Sequence, residues 1–156
     1  MKKITLLLLI VSAALTLAGC DDTQSNPDPE GTIELRMRNS ANGNTYLTIQ
    51  EGEAYISLNI GSDNNFNVID HSYYGDLGNN LLCGVGSVSG LGSVKSIPTA
   101  GWTNVAAVVP GNGYVIRFSS DRGTVYARLF VVDWTESASS GGIIGAQVKY
   151  QFPFNP

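Results

Sequence analysis

From about residue 32 onward the apolar and polar positions of this chain alternate with a period of two. In 32–38, Ile33, Leu35 and Met37 share one side while Glu34, Arg36 and Arg38 share the other, the pattern of a strand with one face buried. Residues 45–50 form a second strand, and the turn-rich link 39–44 with its Asn42-Gly43 pair predicts a hairpin between the two. In 54–60, Ile56, Leu58 and Ile60 alternate with Tyr55, Ser57 and Asn59. The polar stretch 61–78 reads as a loop around one short strand at 66–69. Glycines at 84, 86, 90 and 92 make 81–92 a region of strand edges, bulges and tight bends. Val105 to Val109 is a short apolar run of strand length, closed by Pro110-Gly111-Asn112-Gly113. Tyr114, Ile116 and Phe118 then share a face, as do Val125, Ala127, Leu129 and Val131 after the turn 120–123, which predicts a second hairpin reaching Trp134. Ile144, Ala146, Val148, Tyr150 and Phe152 close the chain as a last strand.

No stretch past the N-terminus carries ten residues of helical periodicity with caps, and no repeat of fixed period appears. The expected fold is all-β, a compact β-sandwich or small β-barrel of about eight short antiparallel strands, in one domain over 32–156. Either architecture deals with exposed sheet edges, and the alternation does not choose between them.

The N-terminus changes the picture from a fold to a location. Basic Lys2 and Lys3, an apolar run from Ile4 to about Leu17 and the small pair Ala18-Gly19 lead to Cys20, the order of parts in a lipoprotein signal peptide over 1–19. The run is shorter than the roughly 20 apolar residues a spanning helix needs and is followed at once by Asp21-Asp22. Cys20 is the expected lipidation site, and acyl chains at about 0.8 kcal/mol per buried methylene, two or more together, hold a protein to a membrane without spanning it. An ordinary secreted protein cleaved near Gly19, with Cys20 a free N-terminal thiol, is the competing expectation. Residues 20–31, acidic and broken by Pro27 and Pro29, read as a flexible tether.

Charge and cysteine content narrow the possibilities further. The chain has 9 basic and 13 acidic side chains, and removal of Lys2 and Lys3 leaves 7 against 13. A domain this acidic, with no basic cluster, lacks the electrostatic footprint for nucleic acid or for anionic headgroups. With Cys20 acylated, Cys83 is the only remaining thiol, so an intrachain disulfide is ruled out and Cys83 is expected as a small buried hydrophobe. One histidine and two cysteines exclude zinc-type spacing, and no cofactor motif is present. Asp63, Asn65 and Asn67 imitate the start of a calcium loop but lack its glycine and terminal glutamate at the required offsets. The glycines of 84–92 lack the third glycine and the lysine of phosphate-binding turns. Asp70-His71, with Asp133, would be the first residues to test for catalysis, but no nucleophile or oxyanion hole accompanies them. Trp102, Trp134, Tyr73 and Tyr74 are the candidates for stacking on a sugar ring. Core or hairpin packing is the competing role for the two tryptophans.

The runs GSVSGLGSVKSIPTAGW (86–102), VVPGNGYVIRF (108–118), YARLFVVDW (126–134) and GGIIGAQVKYQFPF (141–154) resemble a family of small lipoproteins of Bacteroides and related gut bacteria whose domain has no assigned function. The resemblance covers most of 31–154 and implies a cellular setting, not a site: an envelope lipoprotein, lipid-anchored at the outer membrane and surface-exposed. Acidic residues just after the cysteine resemble the surface-export signal of such bacteria, whereas in enterobacteria an aspartate there retains lipoproteins at the inner membrane. The expected role is a non-catalytic binding or accessory module for a glycan or an envelope protein. The alternative is a structural or assembly component of an envelope complex or fibre, with its sheet edges paired to a partner.

Overall fold

A computed structural model describes residues 31–37, 45–73, 77–78 and 80–156. The expected signal peptide, Cys20, the tether up to residue 30 and Tyr74 lie outside the described residues. Nine strands are present among them: β1 (Gly31–Arg36), β2 (Leu47–Glu51), β3 (Ala54–Ile60), β4 (Asn65–Asp70), β5 (Leu82–Ser87), β6 (Val105–Ala107), β7 (Asn112–Ser120), β8 (Gly123–Glu136) and β9 (Ile143–Gln151), with one 3₁₀ turn at Leu91–Ser93. They form two open antiparallel sheets, β1-β9-β8-β7-β5 and β2-β3-β4-β6. The fold is therefore a β-sandwich and not a closed barrel.

Each sheet turns its apolar positions inward. Leu35, Ile116, Phe118, Leu129, Val131 and Val148 from the five-stranded sheet meet Ile49, Ile56, Leu58, Ile60, Phe66 and Val68 from the four-stranded sheet in one buried cluster. Each such side chain contributes about 1.5–3 kcal/mol by leaving water. Tyr114 adds a polar tie between the sheets. Its ring meets Phe66 edge-on at 5.1 Å, its hydroxyl donates to Ala107 O at 2.7 Å, and the same oxygen accepts from Val109 N at 3.1 Å. Burial pushes its phenol above the ordinary tyrosine value, so the donor proton is kept.

The β7–β8 hairpin forms as expected, with Ser120 facing Gly123 across Asp121-Arg122. The hairpin expected between 32–38 and 45–50 does not. β1 instead pairs with β9, Leu35 opposite Ala146, while β2 pairs with β3. The two strands thus belong to different sheets, although Met37 just beyond β1 bridges to Ile60 of β3. Alternation reports which side of a strand is buried but carries nothing about its neighbour, and β9 offers β1 a longer apolar partner than β2 does.

A second, smaller core covers the outer face of the five-stranded sheet. Val94, Val115 and Phe154 are buried there, with Val85, Val88, Ile97, Trp102 and Tyr126 packed around them. Gly113 makes room for this layer: a Cβ on it would lie 2.5 Å from Val94 Cγ2 and 2.9 Å from Val85 Cγ2. Arg128, only 1% exposed, runs through the layer. Its Nη1 donates to Val94 O and its Nε to Gln151 Oε1, both at 2.8 Å, and its guanidinium lies over the Phe154 ring at 5.1 Å. Cys83 of β5 is buried under the same layer, its thiol donating to Ala100 O at 3.3 Å. Burial pushes that thiol above its ordinary value, the nearby positive Arg117 offsetting only part of the effect.

Candidate functional site

The outer face of the four-stranded sheet is built differently. On β3 the outward positions are Tyr55, Ser57 and Asn59, the three that alternate with the inward isoleucines and leucine. They stand opposite Gln50 and Thr48 of β2 on one side and Ile69 and Asn67 of β4 on the other. Asn67 in turn faces Val105 of β6. None of these strand positions carries a charge. Ile69 and Val105 are 47% and 46% exposed, so no described segment covers this face as the Phe154 layer covers the other.

At the end where β3 turns into β4 the face deepens into a cleft of about 430 Å³, lined by Asn59, Asp63, Asn67, Ile69, Asn104 and Val105 together with Gly61. The turn is a three-residue loop, closed by Gly61 N to Asn65 O at 2.8 Å and Asn64 N to Gly61 O at 3.2 Å. Asn64 takes the left-handed conformation (φ 60) that such a loop needs at its third position. The loop folds Asp63 back toward the sheet. A Cβ on Gly61 would collide with Asp63 Oδ1 and come within 2.9 Å of Asn67 Nδ2, so glycine is what lets the carboxylate and the amide approach each other.

The Asp63 carboxylate is held at both oxygens. Oδ1 accepts from Asn65 N at 3.3 Å and Oδ2 from Asn65 Nδ2 at 2.8 Å. The side-chain amide, then the backbone amide, keep its carboxyl below the usual carboxylate range. It is therefore ionised at neutral pH, and each oxygen retains a second lone pair. Asn67 Nδ2 donates to Asn65 O at 3.2 Å. Asn104 arrives from the loop before β6, its Oδ1 accepting from Leu81 N at 3.2 Å and its backbone carbonyl from Val68 N at 3.0 Å. Asn59 is 6% exposed, and its side-chain amide makes no hydrogen bond to another described residue. The arrangement offers one fixed acceptor and three amides beside two aliphatic surfaces.

Further along the same face, Tyr55 and His71 stack with ring centroids 4.6 Å apart and planes 11° apart. His71 continues the β4 ladder, its N–H donating to Tyr55 O at 2.9 Å. Asn59 and Tyr55 are four residues apart on one strand, so the ring pair lies roughly 13 Å along the strand from Asn59.

The candidate residues of the sequence fall elsewhere. Trp102 is half-buried in the layer over the five-stranded sheet, its Nε1 donating to Pro98 O at 3.2 Å and the Arg117 guanidinium lying 4.1 Å over its ring. Trp134, in β8, packs against the inter-sheet core. Tyr73, 93% exposed, follows β4, and Tyr74 lies outside the described residues. Asp70 Oδ1 accepts from Ser72 N at 2.8 Å, Asp133 Oδ1 accepts from Trp134 N at 2.8 Å, and His71 is stacked on Tyr55. Asp70 and the adjoining His71 stand with one sheet and Asp133 with the other, and no hydrogen bond or ion pair joins the three. Asp63, Asn65 and Asn67 form the turn above, and no group of three His, Cys, Asp or Glu side chains suited to a metal occurs among the described residues.

Sequence reasoning passed over Asn59, Asn104 and Tyr55. The outward phase of Tyr55, Ser57 and Asn59 was a usable signal, since an uncharged, amide-bearing outer face is unusual beside an acidic composition. Asn104 gave none, because only the fold carries its loop to the edge of β4. Comparison of the chain with protein-family models, with curated proteins and with solved structures gives no significant match.

Proposed function

We propose that this protein is a non-catalytic binding module of the bacterial cell envelope, lipid-anchored through Cys20 at the outer membrane, which presents the outer face of its four-stranded sheet to a ligand. The observation that carries the proposal is the uncovered face, uncharged along its strands, with the Asp63–Asn59–Asn67 cleft at one end and the Tyr55–His71 plate at the other. Pre-formed concavities with a few convergent polar groups are where ligands bind. The order of basic, apolar and small residues before Cys20 supports the anchor, and the acidic composition supports a partner other than nucleic acid.

Two arms test this. A photo-crosslinking residue placed at Ser57 of the full-length protein in intact cells should capture a ligand or partner, whereas the same residue at Gln147, on the outer side of the other sheet, should not. Cys20→Ala should release the protein from the membrane fraction. Equal capture at both positions would remove the proposed surface, and membrane retention of Cys20→Ala would remove the anchor.

A further inference from the structure

The chemistry of the cleft narrows the ligand class. Among its described lining residues the one charge is the Asp63 carboxylate, already held by Asn65 and left with one lone pair on each oxygen for a ligand. Around it stand amides, each able to donate and accept. Asn59 is the most telling: it is almost wholly buried at the floor of the cleft, its side chain bonds no other described residue, and it faces the same space as Asp63 and Asn67. Its amide is open to the cleft, so a ligand able to donate and accept at close spacing would take the place of water on it.

A metal ion does not suit this site, since one carboxylate among amides supplies too little charge and no acidic or imidazole cluster occurs among the described residues. An ammonium group would use Asp63 and the amide oxygens but leave the amide N–H groups without an acceptor. A phosphate or sulfate would be repelled by Asp63. Vicinal hydroxyls satisfy all the groups at once, because each hydroxyl donates one hydrogen bond and accepts others. The exposed Ile69 and Val105 flank the cleft with aliphatic surface for the C–H side of a ring, and the Tyr55–His71 plate lies on the same face at a distance that a chain of sugars bridges and a single sugar does not.

We propose that the cleft is a subsite for a neutral saccharide, with vicinal hydroxyls of one sugar on Asp63, Asn67 and Asn59 and the oligosaccharide running along β3 and β4 to the Tyr55–His71 plate. The assignment rests on the binding-module proposal above and commits it to one chemistry. Binding is independent of metal ions and favours oligomers over monosaccharides.

The test uses the full-length protein in detergent micelles against a panel of neutral gluco-, manno- and galacto-oligosaccharides of two to six sugars, sulfated and sialylated counterparts, and a lysine-rich peptide. At least one neutral oligosaccharide is expected to bind, unaffected by EDTA. Asp63→Asn and Asn67→Ala, each with an unchanged melting temperature, should weaken it about tenfold or more, the loss of a charge-assisted or buried hydrogen bond. Tyr55→Ala should weaken the longer oligomers and leave the disaccharide unchanged. Gly61→Ala, which pushes a methyl between Asp63 and Asn67, should weaken all of them. The assignment is overturned if no neutral saccharide binds, if EDTA abolishes binding, if only the peptide or the charged sugars bind, or if Asp63→Asn and Asn67→Ala both leave affinity unchanged. Capture of an envelope protein at Ser57 in cells with no saccharide binding would overturn the saccharide and leave the binding module standing; no capture and no saccharide binding would overturn both.

Discussion

The two sheets of this sandwich share one core but treat their outer faces in opposite ways. Over the five-stranded sheet the chain returns twice, once as the segment around Leu91–Ser93 and once as the C-terminal tail that carries Phe154, and it seals Val115 and Arg128 beneath a second apolar layer. Over the four-stranded sheet no described segment returns, and amides, hydroxyls and two exposed aliphatic side chains are left facing out. A sandwich is stable with one face of each sheet in water, so the covering layer marks where the chain invests in stability and the bare face where it is free to meet something else.

The comparison is most readily broken at Phe154. Its replacement by alanine removes the ring under Arg128 and should cost about 3–5 kcal/mol in denaturant unfolding. Gly113→Ala forces a methyl against Val94 and Val85 and should cost about 1–3 kcal/mol as overpacking. On the bare face, by contrast, Ile69→Ser should move stability by no more than about 0.5 kcal/mol. A loss at Ile69 as large as that at Gly113 would mean that the two faces are not different in kind.

The smallest expected effect is in pH dependence. Asn65 holds the Asp63 carboxyl below the usual range, so the charge is present above the unfolded carboxyl value of about 3.9 and is lost only as pH falls through the lower folded value. Binding of the disaccharide, which does not reach the Tyr55–His71 plate, should accordingly be the same at pH 5 as at pH 7. Asn65→Ala removes the first cause of the shift and should move the acid limb of the binding curve to higher pH; an unmoved limb would show that another group sets it.

Much of the fold was legible because alternation is a local signal. The inward phases of β3, β7, β8 and β9 follow from Ile56, Ile116, Leu129 and Val148 and their neighbours two residues on, and the tight turn at 120–123 fixes the β7–β8 register. Partner choice was not legible. β1 finds β9 across more than a hundred residues, Leu35 opposite Ala146, and the approach is close enough that a Cβ on Gly145 would come within 2.9 Å of Arg36 Cα. Nothing in the alternation of 143–152 marks that glycine as a point of close approach. For the tryptophans the sequence leaves stacking on a ligand and packing both open; in the fold Trp102 is engaged by Arg117 and Pro98 and Trp134 by the core. The site came instead from small uncharged residues that are unremarked singly and converge only when β3, β4 and the loop of Asn104 are brought together.

The most direct measurement of whether the bare face is the working surface is an amide and indole NMR titration of the protein with the tightest neutral oligosaccharide of the panel. Shifts concentrated at Asn59, Gly61, Asn67, Asn104 and Tyr55, with the indole signals of Trp102 and Trp134 unmoved, are the predicted result. Shifts centred on Trp102, Tyr126 and Phe154, or none at any concentration, would contradict it.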